Sequence, residues 1–450
     1  MSSVVTSPND AAPATQPDHS VQSAVIAPQA VRLPIHFFIL SVLWLVCGSA
    51  SLPWLAPRAI RFFYQPGILA LTHMFSLGFI TSAIMGVMYR YVPALVRRPI
   101  PYPRIALLQF SVYTLGVIGM VAHFGFTAWT GLWWAAALVL ASIILFALNL
   151  FPLLWTGVGR GVAETGMFAS TCFLVLAALL GLLMGIEEAN GFIFSNLPAT
   201  LGAHVTLAAV GWVTLTICAA SYRFVPAFVL PKRPLPRLAL WQIIALVVAT
   251  AGEASCLLLR TSGTRAWAIT IAATLLAYAL IMRSLMSSRR MPIDWGMGHA
   301  VAGMLWLLAS LGLGIAAAWL GSWHANGAPF AGALVTAALL GWAGNFILGM
   351  SYQLFPGFVV RVRTVMRLPP VTIAEVAMLR PRPFILLAFN FGLIAIVVAF
   401  ILRAPALGAV GGWFVLGAAV PYTAITCWTL SFAYRQSVPA PVKGVRILRH

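Results

Sequence analysis

Long apolar stretches alternate along the chain with short polar breaks rich in Pro, Gly and Arg. Crossing about 30 Å of hydrocarbon takes roughly 20 residues of α-helix. Twelve stretches are that long: residues 35–55, 68–95, 105–124, 131–155, 166–186, 200–229, 238–259, 266–282, 297–320, 330–358, 383–402 and 405–433. The pattern predicts an all-α polytopic membrane protein with twelve transmembrane helices over residues 32–436. Residues 1–31, rich in Ser, Pro, Ala and Gln and without a basic start, predict a disordered cytoplasmic tail and not a signal peptide. Residues 437–450 predict a basic cytoplasmic tail.

Composition agrees with this pattern and excludes its competitors. Of 450 residues, 61% are hydrophobic and 8% charged, where soluble proteins carry about 25% charged residues. A net charge of +19 would suggest a nucleic-acid partner in a soluble chain. Here the positive residues lie in short loops, so topology accounts for them and no nucleic acid is expected. Assigning loops alternately to two sides puts 22 of the 27 Lys and Arg on the side of both tails. By the positive-inside rule both termini face the cytoplasm of a bacterial inner membrane. Cys47, Cys172, Cys218, Cys256 and Cys427 form no CxxC and no close pair, and read as apolar helix residues.

A motif recurs three times in one ungapped register. Gly78 to Pro93 reads GFITSAIMGVMYRYVP, Gly211 to Pro226 reads GWVTLTICAASYRFVP, and Gly341 to Pro356 reads GWAGNFILGMSYQLFP. Each has Gly, then an aromatic, a Tyr eleven residues after the Gly and a Pro fifteen after it. The offsets hold four helices each, so the chain predicts three four-helix repeats, about 35–155, 166–285 and 297–433. Two six-helix halves, the plan of many transporters, would repeat at half the chain instead. Each Pro is expected to end its helix, and each Tyr to sit one turn inside as an interfacial anchor.

Imidazole and carboxylate groups inside hydrocarbon are functional candidates, because a polar group there is costly unless it is satisfied. His73 and His204 open the second and sixth helices, His123 closes the third, and His324 precedes the tenth. All four fall on the non-cytoplasmic side and are candidate metal ligands, since neutral imidazole ligates haem iron and copper. His36 and His299 occupy equivalent places on the cytoplasmic side, where water can satisfy them. His73 lies twenty residues before Pro93 and His204 twenty-two before Pro226. Two residues turn a helix by about 200°, so the two rings are expected to face differently. Glu253 is the one acidic residue well inside an apolar span and the candidate for proton chemistry. Glu187 and Glu188 read as solvated loop residues.

Twelve helices with both ends cytoplasmic, threefold repetition and the stretch THMFSLGFITSAIMGVMYRYVPAL resemble subunit I of the haem-copper oxidase superfamily, which includes cytochrome c oxidases and nitric oxide reductases. The resemblance covers about residues 35–433 and implies that His73 is an axial ligand of a b-type haem. His204 is the matching candidate for the copper ligand of the sixth helix. It also implies redox or nitric oxide chemistry and respiratory or redox partner subunits in the lipid bilayer. The departures are specific. Thr336 and Leu334 stand where the family has a histidine pair on the tenth helix, and the seventh helix has Glu253 but none of the copper-ligating histidines. Oxygen reduction by the family mechanism is therefore not expected, and copper is the weaker cofactor expectation. A transporter, or a structural respiratory subunit that kept the scaffold and lost the cofactor, is the competing reading.

Overall fold

The computed structural model describes residues 28–191, 193–194, 196–232, 235–321 and 326–436. Twelve helices in it are long and apolar enough to cross a membrane. They are α1 (Val31–Arg61), α2 (Pro66–Val96), α3 (Pro103–Gly125), α4 (Trp129–Gly157), α5 (Val162–Asn190) and α6 (Leu197–Val229), followed by α7 (Pro236–Leu259), α8 (Thr264–Ser287), α9 (Trp295–Leu320), α10 (Ala328–Val365), α11 (Arg382–Leu402) and α12 (Pro405–Ser431). A short helix, Ile373–Val376, interrupts the connection from α10 to α11. No strand occurs among the described residues, so the protein has the all-α polytopic membrane fold.

Each predicted span coincides with one helix. The largest differences are at the ends of α1 and α10, whose last turns carry Arg58 and Arg61, and Arg361 and Arg363. Charged turns beyond the hydrocarbon leave the apolar pattern while the helix continues. Of the predicted tails, residues 1–27 and 437–450 lie outside the described residues, and 28–31 belong to the first helix. The ends at which α1 begins and α2 finishes carry most of the loop arginines and are called here the arginine-rich end.

The motif-bearing helices α2, α6 and α10 come together at the centre. Each is wound as π-helix through the motif glycine: Met74–Thr81, Thr206–Thr214 and Ala337–Gly344. Such π segments are rare and often mark functional sites. Each motif glycine receives an aromatic ring from the preceding helix in the pattern: Trp44 on Gly78, Phe173 on Gly211 and Trp306 on Gly341. A Cβ on any of them would overlap that ring, which is why Gly recurs there. Gly211→Ala should lower stability by about 1–3 kcal/mol through overpacking. An unchanged midpoint in denaturant unfolding of the purified protein would contradict this packing.

Two indole bonds tie the central helices together. Trp212 Nε1 donates to Thr81 Oγ1 at 3.0 Å, and Trp342 Nε1 donates to Thr214 Oγ1 at 3.3 Å. In both, the donor stands one residue after its motif glycine and the acceptor three residues after its own. The segment Met74–Thr81 also packs against Ala337–Gly344, where the corresponding residues are Phe79 and Gly344, which offer neither donor nor acceptor. The contacts run head to tail around a closed ring, so the face a helix turns to the next is not the face it turns to the previous one. Partners across each of the two bonded seams are accordingly two residues out of register.

Two expectations about the motif are corrected. Tyr89 and Tyr352 are buried, 2% and 6% exposed, and are not interfacial anchors. The Tyr89 and Tyr222 hydroxyls donate to Gln109 (3.3 Å) on α3 and Gln242 (3.0 Å) on α7. These tyrosines therefore join neighbouring helices, because a polar partner waits on each facing helix. Nor do the prolines end their helices: Pro93, Pro226 and Pro356 lie inside helices that run on to Val96, Val229 and Val365. A proline removes one bond to the carbonyl four residues back, here that of the motif tyrosine, and the packing around it carries the helix on.

Candidate cofactor site

His73 and His204 each lie seven residues inside the first residue of their helices, Pro66 and Leu197, a depth of about 10 Å from the end opposite the arginine-rich one. The two imidazoles are near enough that a charge on one acts on the other. The two residues by which they differ within their repeats leave the rings on different faces of their own helices, and neighbours in a head-to-tail ring meet through different faces. His73 and His204 stand five and seven residues before Gly78 and Gly211, and Thr81 and Trp212 stand three and one after. Both pairs obey the same two-residue stagger, so the histidines lie on the Thr81–Trp212 seam, about 12 Å nearer the outer end. The corresponding pairs at the other two seams are Thr206 with Leu334, and Thr336 with Leu71, so only this seam carries two imidazoles.

Backbone carbonyls set both rings. His73 Nδ1 lies 2.7 Å from the Leu69 carbonyl, and His204 Nδ1 lies 3.0 Å from the Ala177 carbonyl on α5. A carbonyl only accepts, so in each ring Nδ1 carries the proton and Nε2 keeps its lone pair. Among the described residues neither Nε2 has a hydrogen-bond partner. A ligating imidazole is held in the same way, its other ring nitrogen donating to a carbonyl that fixes the tautomer and the ring orientation. His73 stacks on Phe124 of α3, with ring centroids 4.9 Å apart. Gly181 of α5 stands beside His204, where an added Cβ would come within 3.1 Å of Cε1. Both rings are half-buried although Leu71, Phe75, Ala203 and Leu207 around them are buried.

The other candidates separate from this pair. His123 donates from Nδ1 to the Ala128 carbonyl (2.7 Å) and packs edge-on against Trp134, so it clamps the turn that joins α3 to α4. A Cβ on Gly131 would overlap its ring. His324 lies outside the described residues. Glu253 is buried on α7, and its Oε2 has no hydrogen-bond partner. No described contact joins Glu253 to His73 or His204. Glu187 and Glu188 are not loop residues: both belong to the last turn of α5. Glu187 accepts the Ile193 and Phe194 N–H groups, and Glu188 accepts from the Tyr64 hydroxyl, whose pKa burial and then the Glu188 charge push upward. Tyr64 thus stays protonated and ties the α1–α2 turn to α5.

The expectation for His299 also changes: it is fully buried, 0% exposed, whereas its counterpart His36 is exposed. The sequence reading missed what surrounds it. His299 Nδ1 meets Asn345 Oδ1 at 2.8 Å, Asn345 and Asn390 exchange two bonds of 3.0 Å, and Trp306 Nε1 donates to Asn390 Oδ1 at 2.8 Å. Two asparagines inside apolar spans were the available signal.

The donor set discriminates among cofactors. Two imidazoles with free Nε2 atoms are the donor set of one haem iron or one metal ion. They do not fit a three-histidine copper centre, and no group of three His, Cys, Asp or Glu residues converges among the described residues. Thr336 and Leu334, at the family's tenth-helix histidine positions, offer no imidazole. No family model matches the chain. It is 26% identical over 164 residues to the Cbb3-type cytochrome c oxidase subunit CcoN1 of Stutzerimonas stutzeri, a match covering 33% of each protein. The match thus spans a third of that relative's length, and with the twelve-helix fold it gives a loose likeness to oxidase subunit I.

Proposed function

We propose that this chain is a divergent subunit I-like protein of the bacterial inner membrane that holds a haem, or a single metal ion, between His73 and His204. The observation that carries the reading is the pairing of the two rings on one seam, each with Nδ1 tied to a carbonyl and Nε2 free. Bound there, a haem supplies reversible one-electron chemistry or a site for a small diatomic gas such as nitric oxide. The chain's own part is to fix the two tautomers, to stack Phe124 against His73, and to keep bulk water out with the surrounding apolar side chains. Dioxygen reduction at a haem-copper pair is not part of the proposal, because the copper ligands are missing. The arginine-rich end is the cytoplasmic one, and the three repeats are the four-helix units about 35–155, 166–285 and 297–433. Respiratory or redox subunits in the same bilayer are the proposed electron partners.

The test is the iron, copper and haem content of the chain purified from a haem-replete membrane. The proposal expects near-stoichiometric haem or metal, lost in the His73→Ala/His204→Ala double variant. A metal-free and haem-free wild-type chain would favour a transporter or structural subunit.

A further inference from the structure

A groove of about 370 Å³ opens on the outside of the bundle where α3 and α12 pass α1, near the arginine-rich end. Cys427 and Ser431, one turn apart on α12, present short side chains to it, which leaves the space open. Ile39, Leu43, Phe110 and Leu430 make the lining apolar. Leu43 is 53% exposed, so the groove faces the surrounding hydrocarbon.

Its mouth has the opposite character. The exposed His36 lines it, and Arg32 stands one turn before His36 on the same face of α1. The Arg32 guanidinium lies 4.7 Å from the ring centroid of Tyr434, which follows α12 and also lines the groove. Among the described residues the Arg32 guanidinium, the His36 ring and the Tyr434 hydroxyl have no hydrogen-bond partner, and Arg32 Nε is buried with its N–H unmet. Arg32 is the charge that acts on both His36 and Tyr434, and no carboxylate is described beside them. A cation without a counter-charge, flanked by two further donors, calls for an anionic acceptor.

The depth of the groove says what carries that anion. From Arg32 to Leu43 α1 rises about 16 Å, which matches one leaflet, about half of a 30 Å hydrocarbon core. The donors therefore sit at headgroup level and the apolar lining runs the depth of one leaflet. A transmembrane helix of another subunit would fill the groove but bring no acceptor, since its backbone groups are bonded within it. We propose that this groove binds one anionic phospholipid, with its phosphate held by Arg32 and His36 and one acyl chain laid between α1, α3 and α12. Tyr434 keeps the guanidinium at the mouth by stacking on it. A basic pocket between helices at the membrane surface is the general setting for such headgroups.

The full chain in detergent, exchanged free of native lipid, is titrated with phosphatidylglycerol or with phosphatidylcholine of the same acyl chains, and bound lipid is counted by native mass spectrometry. The first phosphatidylglycerol should bind about tenfold or more tighter than the first phosphatidylcholine, the strength of one hydrogen bond to a charged group. Arg32→Gln/His36→Gln should abolish that preference, and Arg32→Lys, which keeps the charge, should retain part of it. Arg160→Gln, an equally exposed cation on the α4–α5 turn of the same end, should leave it intact. Ile39→Trp, which fills the groove without touching a charge, should weaken both lipids, and glycerol phosphate should not displace bound phosphatidylglycerol. No preference in the wild-type chain, an undiminished one in Arg32→Gln/His36→Gln, or an equal loss in Arg160→Gln would overturn the proposal. Displacement by glycerol phosphate, or wild-type binding in Ile39→Trp, would equally overturn it by removing the groove from the site. None of these outcomes depends on a cofactor at His73 and His204.

Discussion

Replacing His73 by Ala is expected to strip the protein of its cofactor, with affinity falling at least about 100-fold. Even outer partners of a metal-bound imidazole are worth 10- to 100-fold, and this change removes the ring itself. The absorption bands of the purified variant should fall below about a tenth of the wild-type intensity. His204→Ala should act in the same direction, because the two rings share one seam and one depth. His123→Ala is the internal control. Its ring is packed into the α3–α4 turn against Gly131 and Trp134 and off the seam of His73 and His204, so it should leave the bands in place while loosening the α3–α4 connection. Spectra measured at equal protein concentration separate the three, and an unchanged His73→Ala spectrum would remove that residue from the ligand set.

The second large effect concerns stability. Arg363, on the last turns of α10, is 0% exposed. Its Nε donates to the Pro369 carbonyl at 2.6 Å, and Nη1 donates to the Phe432 and Arg435 carbonyls. One guanidinium thus ties the chain after α10 and the final turns after α12 to a single point. Carbonyls at helix ends lack intrahelical partners, and a cation there also favours the negative end of the helix dipole. Arg363→Met keeps the length of the side chain and leaves three acceptors without their donor, so it should cost about 3–5 kcal/mol. Arg363→Lys should recover only part of this, because an ammonium cannot reproduce the planar fork. Equilibrium unfolding in denaturing detergent measures both, and a loss under about 1 kcal/mol for Arg363→Met would show that water replaces the guanidinium.

What could be read from the residues divides along a physical line. The twelve spans were legible because hydrocarbon demands a long apolar run whatever the tertiary partners are. The motif's glycines were legible as a repeat, although their cause, the rings of Trp44, Phe173 and Trp306, was not. Anything decided between helices stayed hidden. The two-residue offset of His73 and His204 was legible, but not that it matches the stagger of the bonded pair Thr81 and Trp212. Tyr89 and Tyr222 suggested a water interface because Gln109 and Gln242 lie twenty residues further on. Likewise His299 suggested a water-satisfied terminus, since the sequence does not say that Asn345 and Asn390 fold against it.

The central claim, that His73 and His204 hold a redox-active cofactor, is tested most directly by one optical measurement. The purified chain is oxidised, its spectrum is recorded, and dithionite is added. The paired imidazoles predict a Soret band that shifts on reduction and an α band that appears with it. A chain loaded in haem-replete cells that shows no band in either state, and carries no iron or copper, would contradict the account.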